Sequence, residues 1–198
     1  MKSHDITVAK HAGFCFGVKR ATDMIAEKLT AADGDRVYTL GKLIHNDTYN
    51  AELAAKGVCV TSVDELEALA RDTENGTSAC VFIRAHGVTK QTNELLNSLT
   101  EKYPRFSYVD CTCPYVKKIH RIAADNSSPQ CEGDEPIFIL IGAADHPEVV
   151  GIVSYFEGKS FVYATADELQ SAIENKIIPN NVNITPVVAA QTTQKLTE

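Results

Sequence analysis

Short apolar runs and amphipathic stretches alternate along the whole chain. Runs with strand character fall at Ile6 to Ala9, Val37 to Leu40, Val58 to Val60, Cys80 to Ile83, Phe106 to Val109, Ile137 to Ile141, Phe161 to Tyr163 and Val187 to Ala190. Between them apolar residues recur at helical spacing. Val18, Ala21, Ile25 and Leu29 share one face, as do Leu66, Leu69 and Ala70, and Leu95, Leu96 and Leu99. A further helix is expected from Pro114, because Val116, Ile119, Ile122 and Ala123 keep the same period. Proline suits the first helical position, where its missing N–H would be unpaired anyway. Alternation of this kind reads as an α/β fold, with mostly parallel sheets covered by helices. Pro104 stops a helix ahead of Phe106, and the polar, turn-rich segment from Asp125 to Pro136 reads as an exposed loop.

The alternation repeats itself. Cys15-x-x-Val18-Lys19-Arg20 follows the first apolar run, and Cys113-x-x-Val116-Lys117-Lys118 follows the fifth. His45, Gly57 and Asp64-Glu65-Leu66 come after the first cysteine; His146, Gly158 and Asp167-Glu168-Leu169 come after the second. Both acidic triplets open with a capping box, Ser62-x-x-Glu65 and Thr165-x-x-Glu168. Partners stand about one hundred residues apart, the size of a small domain. The chain therefore divides into two small three-layer α/β units, residues 1–104 and 105–198, with the boundary near Lys102 to Arg105.

Composition narrows the function classes. At 198 residues, with 44% hydrophobic and 23% charged residues, the chain is ordinary for a globular protein. No apolar run reaches the roughly 18 residues of a membrane span. The segment Met1 to Asp5 lacks the apolar core of a signal peptide, so a cytoplasmic protein is expected. In that reducing compartment six cysteines point to metal or thiol chemistry rather than disulfides. A net charge of −7 argues against a nucleic-acid partner, and an anionic ligand must be held by local groups.

In an open parallel sheet the ligand site lies beyond the carboxyl ends of the strands. The conspicuous polar groups fall there: Cys15, His45, His86, Cys113, His146 and Gln191-Thr192-Thr193 each follow an apolar run. Cys113 stands where a strand meets a helix start, and helix N–H groups favour the thiolate that attacks electrophiles or binds metal. Asp110 is placed to cap that helix or to orient groups in the turn. Histidines, hydroxyls and loop N–H groups suit a phosphate-bearing ligand. Glu148, two residues after His146, is a candidate proton donor. Cys59 and Cys80 lie inside apolar runs and are expected in the core, Cys111 ranks second to Cys113, and Cys131 falls in the polar loop. His4, His11 and His120 lack the strand-end context and are expected as surface or helix-face groups.

Six ordered blocks carry a resemblance: Gly13-Phe14-Cys15-Phe16-Gly17-Val18, His45-Asn46, Ala85-His86-Gly87-Val88, Asp110-Cys111-Thr112-Cys113-Pro114, His146-Pro147-Glu148-Val149 and Gln191-Thr192-Thr193. Together they resemble the LytB/IspH family of 4-hydroxy-3-methylbut-2-enyl diphosphate reductases, on the methylerythritol phosphate route to isoprenoids. The resemblance implies three pseudo-symmetric α/β domains around one 4Fe–4S cluster held by three cysteines. Two electrons and two protons then remove the substrate's hydroxyl as water, giving isopentenyl and dimethylallyl diphosphates. By position, Cys15 and Cys113 become metal ligands, and His45, His86 and His146 hold the diphosphate. Glu148 becomes the proton donor, and Thr192 lies beside the hydroxyl end. A ferredoxin or flavodoxin is the kind of electron donor implied. The family's third cluster cysteine and its Ser-x-Asn block fall beyond Glu198, so two of three domains are expected here, in a fragment or a short form. Alone, these residues are expected to fold without catalysing the reduction. Two other readings use the same residues. One is a non-catalytic metal module with zinc on cysteine and histidine. The other is a thiol–disulfide enzyme on Cys111-Thr112-Cys113, whose spacing is one residue short of the usual redox pair.

Overall fold

The computed structural model describes residues 7–9, 12–31, 34–129, 133, 135–178 and 184–194. It holds two parallel sheets with helices on both faces. In chain order the elements are α1 (Phe16–Ala31), β1 (Arg36–Leu40), α2 (Asp47–Ala55), β2 (Cys59–Thr61), α3 (Leu66–Asp72), β3 (Ala79–Ile83), α4 (Lys90–Lys102) and β4 (Phe106–Asp110). There follow α5 (Pro114–Asp125), β5 (Glu135–Ile141), α6 (Pro147–Val153), β6 (Lys159–Tyr163), α7 (Ala166–Glu174) and β7 (Ile184–Ala190). Short 3₁₀ turns at Val63–Glu65 and Thr73–Asn75 flank α3.

The first sheet runs β2-β1-β3-β4 and the second β6-β5-β7. All pairings are parallel, with Tyr38 opposite Val81 in the first and Ile139 opposite Val188 in the second. β5 therefore corresponds to β1, β6 to β2 and β7 to β3, as the sequence repeat requires. The first sheet's core lies on both faces. Phe82 and Cys80 meet Ala21, Ile25 and Leu43 on one side, and Val81 and Ile83 meet Leu66, Leu96 and Leu99 on the other. The second sheet packs Phe138 and Leu140 against Ala123, Val149 and Ile152, and Ile137 and Ile139 against Ala172 and Ile178. The helix starts follow local chemistry. The Glu65 carboxylate accepts from Ser62 N–H at 2.8 Å. Glu168 N–H donates to the Thr165 hydroxyl, but the Glu168 carboxylate takes the N–H of Ala164 rather than that of Thr165.

Expectations shift at the first apolar run, at Cys59 and at His120. Thr7 to Ala9 form no strand and Val8 is exposed, while Ile6 lies outside the described residues. The physical reason is the way strands are shared. β4 pairs with β3 of the first sheet, yet the helix that follows it, α5, contributes Ala123 to the core of the second. The strand ahead of Cys113 thus pairs backward with the first sheet, whereas among the described residues no strand lies beside the segment ahead of Cys15. Sheet membership changes after Asp110, a few residues past Lys102 to Arg105. Cys59 is exposed on the edge strand β2, whereas Cys80 is buried as expected. His120, expected as a surface or helix-face group, is on a helix face but buried under Tyr155, because its position on α5 faces α6. His4, His11 and Cys131 lie outside the described residues.

Candidate functional site

The turn after β4 is fixed by backbone bonds to the turn after β3. Cys111 N–H donates to Ile83 carbonyl (3.2 Å), and Cys113 N–H donates to Ala85 carbonyl (2.9 Å). Asp110 orients this turn rather than capping α5. One carboxylate oxygen accepts from Thr112 N–H at 2.8 Å and the other pairs with Lys117 at 2.5 Å. Cys113 is itself the residue preceding the helix, with Pro114 in the first turn. The turn then separates the two cysteines. Cys111 is buried beside Met24, and burial pushes its thiol up to about 12, so it is a core residue. Cys113 instead lines a cavity of about 670 Å³ together with Cys15, Gly17, Tyr115, Val188 and Thr192. Gly17 lets α1 approach, since a side-chain carbon there would lie 2.7 Å from Cys113 Sγ.

The three strand-end histidines converge. His45 and His86 ring centres are 4.9 Å apart, His86 and His146 5.3 Å, and His45 and His146 6.4 Å. One nitrogen from each lies within 4.8 Å of the others. His45 and His86 also line a cavity of about 210 Å³ with Asn46 and Phe14. Burial, then His45, His146 and Arg84, press His86 down to about 4, so its ring is neutral near pH 7. Its Nδ1 is buried without a partner. His146 caps α6, its Nδ1 accepting from Glu148 N–H at 3.1 Å. An Nδ1 that accepts carries no proton, so the proton of the neutral ring sits on Nε2. His146 can therefore donate through Nε2 but offers no Nε2 lone pair. That chemistry suits an oxygen-rich anion better than a zinc ion, which needs lone pairs from all three rings.

Glu148 is 1% exposed and bound at both oxygens. Thr192 N–H donates to Oε1 at 2.6 Å and the Thr192 hydroxyl to Oε2 at 2.9 Å. Thr192 lines the thiol cavity and Glu148 does not, so Thr192 joins that carboxylate to the cavity's lining through its N–H and its hydroxyl. Gln191 follows an apolar run, and its position along the chain gives it no role. It is buried, its side-chain oxygen accepts from Ala143 N–H (3.2 Å), and its amide donates to Thr193 (2.9 Å). It thereby ties the turn after β5 to the turn after β7. Gly142 accommodates it, since a side-chain carbon there would fall 2.9 Å from Gln191.

The structure thus brings Cys15, Cys113 and Thr192 to one cavity, gathers His45, His86 and His146, and binds Glu148 to Thr192. Cys59, Cys80 and Cys111 do not line that cavity, so among the described residues it has two thiols. A parallel α/β protein with two thiols on one cavity and imidazoles and a buried carboxylate after its strands is the class that fold and site define. A profile of the family described as LytB protein matches residues 6–198, and the chain belongs to that family. It is 40% identical over 190 residues to a 4-hydroxy-3-methylbut-2-enyl diphosphate reductase of Geobacter sulfurreducens, covering 96% of this chain and 57% of the relative. A protein of the same name from Aquifex aeolicus is 34% identical over 193 residues, again 96% and 57%. A solved structure of (E)-4-hydroxy-3-methyl-but-2-enyl diphosphate reductase, the terminal enzyme of the non-mevalonate pathway, superposes with a TM-score of 0.66 at 30% identity. It covers 97% of this chain and 59% of the other. The Plasmodium falciparum counterpart shares the fold, with a TM-score of 0.69 at 21% identity, over 95% of this chain and 51% of the other. The chain spans little more than half the length of these relatives. Among the described residues no helix is long and apolar enough to cross a membrane.

Proposed function

We propose that this chain supplies the diphosphate-binding and proton-delivering part of an iron–sulfur reductase acting on 4-hydroxy-3-methylbut-2-enyl diphosphate. The observation that carries this reading is the convergence of His45, His86 and His146, with one nitrogen of each within 4.8 Å. N–H donors aimed at one point hold phosphate oxygens, and the diphosphate's negative charge opposes the burial and the neighbouring groups that press His86 down. Cys15 and Cys113 are the ligands this chain offers a 4Fe–4S cluster, which when bound supplies the electrons for the reduction. A third thiolate does not come from the described residues. In its protonated form Glu148 donates to the Thr192 hydroxyl instead of accepting from it, and that hydroxyl, 2.9 Å away, hands its own proton to the departing hydroxyl. The substrate's C–O bond breaks with two electrons, and two protons complete water and the new C–H bond of isopentenyl or dimethylallyl diphosphate. A small electron carrier, a ferredoxin or flavodoxin, is the partner this chemistry calls for, and the setting is cytoplasmic.

Titrating the chain with the allylic diphosphate or with inorganic pyrophosphate tests the reading. The wild type should bind, and His45→Ala should bind at least tenfold more weakly, the loss of one charge-assisted hydrogen bond being worth about 1.5–3 kcal/mol. Equal affinity would mean that the imidazoles hold something else. Iron counted after anaerobic reconstitution and desalting tests the ligand set: with two thiolates, the chain should retain fewer than about four irons.

A further inference from the structure

Behind the three site histidines lies a fourth that the chemistry does not use. His120 sits on α5, 7% exposed, its ring stacked on Tyr155 with centres 4.3 Å apart and planes 17° from parallel. Two glycines from separate elements press on it. A side-chain carbon at Gly87 would lie 2.8 Å from His120 Cε1 and 3.0 Å from Thr112 Cγ2. One at Gly151 would lie 3.6 Å from His120 Nε2 and 3.4 Å from the Val88 carbonyl oxygen. Gly87 follows His86 directly. Gly151 stands one helical turn on from Glu148. The imidazole therefore occupies the gap between the backbone of the His86 turn and the backbone of α6.

The same two segments are tied further along. Lys90 N–H donates to the Ser154 hydroxyl at 2.9 Å, and the Lys90 ammonium pairs with Glu157 at 2.5 Å. With the ties in place at that end, the ring decides how closely the segments approach at the other. Its Nε2, on the Gly151 side, has no hydrogen-bond partner, so towards α6 the ring acts through its shape.

We propose that His120 is a positioning residue. Wedged between Gly87 and Gly151, its ring sets the spacing between the turn carrying His86 and the helix carrying His146 and Glu148. The three imidazoles converge on a diphosphate because that spacing is held. The proposal rests on the reading of the histidine cluster as a diphosphate site, and the test separates the two.

Chain variants His120→Ala and His120→Phe are titrated with inorganic pyrophosphate, and the ring ¹H–¹⁵N resonances of His86 and His146 are recorded without ligand. His120→Ala should bind pyrophosphate about tenfold more weakly, since misplacement of about 1 Å is costly at such sites. Its His86 and His146 resonances should move. His120→Phe, which keeps a flat ring, should recover most of both. Folded His120→Ala with unmoved resonances, or His120→Phe as impaired as the alanine variant, overturns the proposal. Should His120→Ala not fold, Tyr155→Leu frees one face of the ring, and smaller shifts of the same resonances are expected. Their absence in folded Tyr155→Leu overturns the proposal equally. If wild type and His45→Ala bind pyrophosphate alike, the diphosphate reading falls, while the ligand-free resonances still decide the role of His120.

Discussion

In the first sheet β3 runs between β1 and β4, and all five of its residues are buried. In the second sheet its counterpart β7 pairs with β5 on one side only, and Val188 is 59% exposed. The two strands have similar apolar sequences, Ala79-Cys80-Val81-Phe82-Ile83 and Val187-Val188-Ala189-Ala190. What differs is a neighbour. β4, whose turn leads into the second unit, closes the first sheet; among the described residues nothing does the same for the second. An apolar strand with an open row of N–H and C=O groups is a template for further pairing. A strand's apolar pattern, then, does not say whether it will be a centre or an edge.

The repeat teaches the same lesson about side chains. His45-Asn46-Asp47 and His146-Pro147-Glu148 stand at equivalent places, each after the first strand of its sheet. Asp47 has a side chain 89% exposed and meets Lys42 at 2.8 Å, which holds its carboxyl below the usual range. Glu148 is buried and bound to Thr192. Equivalent carboxylates have become an exposed first-turn residue and a buried one bound at both oxygens.

The largest expected effect breaks that second comparison. In an assembly of this chain that turns over the allylic diphosphate, Glu148→Gln should lower kcat by about 10²–10⁴-fold, the usual worth of a positioned acid. Asp47→Asn should leave kcat within about twofold. Similar losses in both, measured by steady-state assay, would mean that burial does not distinguish their roles.

Next comes stability. Phe82→Ala empties the centre of the first sheet and should cost about 3–5 kcal/mol in urea unfolding. Val188→Ala on the open strand should cost less than about 0.5 kcal/mol. A large cost at Val188 would show that this edge is covered in solution.

The pH dependence is smaller. Burial first, then His45, His146 and Arg84, hold His86 at about 4. His120 is also held at about 4, by burial opposed by Asp110 and reinforced by Lys117. Both folded-state values lie below the ordinary 6.5, so the fold favours the neutral rings. Their contribution is fully present above about pH 6.5 and declines as pH falls towards 4, by up to about 1.4 kcal/mol per pH unit per ring. The urea midpoint should be flat from pH 8 to 7 and fall steadily between pH 6.5 and 4, with a gentler fall in His120→Phe. A flat profile down to pH 4 would contradict the burial of both rings.

The smallest effect concerns association. Val188→Lys should reduce self-association of the chain in sedimentation while leaving the unfolding free energy nearly unchanged, because edge charges discourage strand pairing. An unaltered sedimentation profile would place any association elsewhere.

Period and spacing in the sequence settled much of this protein. Seven of the eight strand-like runs formed strands, since alternating apolar patterns have few ways to bury themselves beside a helix. The placing of His45, His86, Cys113, His146 and Thr192 at strand ends followed from that, because in parallel sheets the chain leaves each strand on the same side. What the sequence could not set were relations between distant backbones. Cys111 and Cys113 differ by two positions, yet one is core and the other lines the cavity, according to which way the turn meets Ala85. Cys59 shares its apolar setting with Cys80 but is exposed, since strand order made β2 an edge. His120 looks like any helix histidine until Gly87 and Gly151 close on it. Local propensity acts over a few residues and can be read along the chain. Burial, sheet-edge position and the tautomer of His146 depend on contacts made only when the two sheets are brought together and their turns packed.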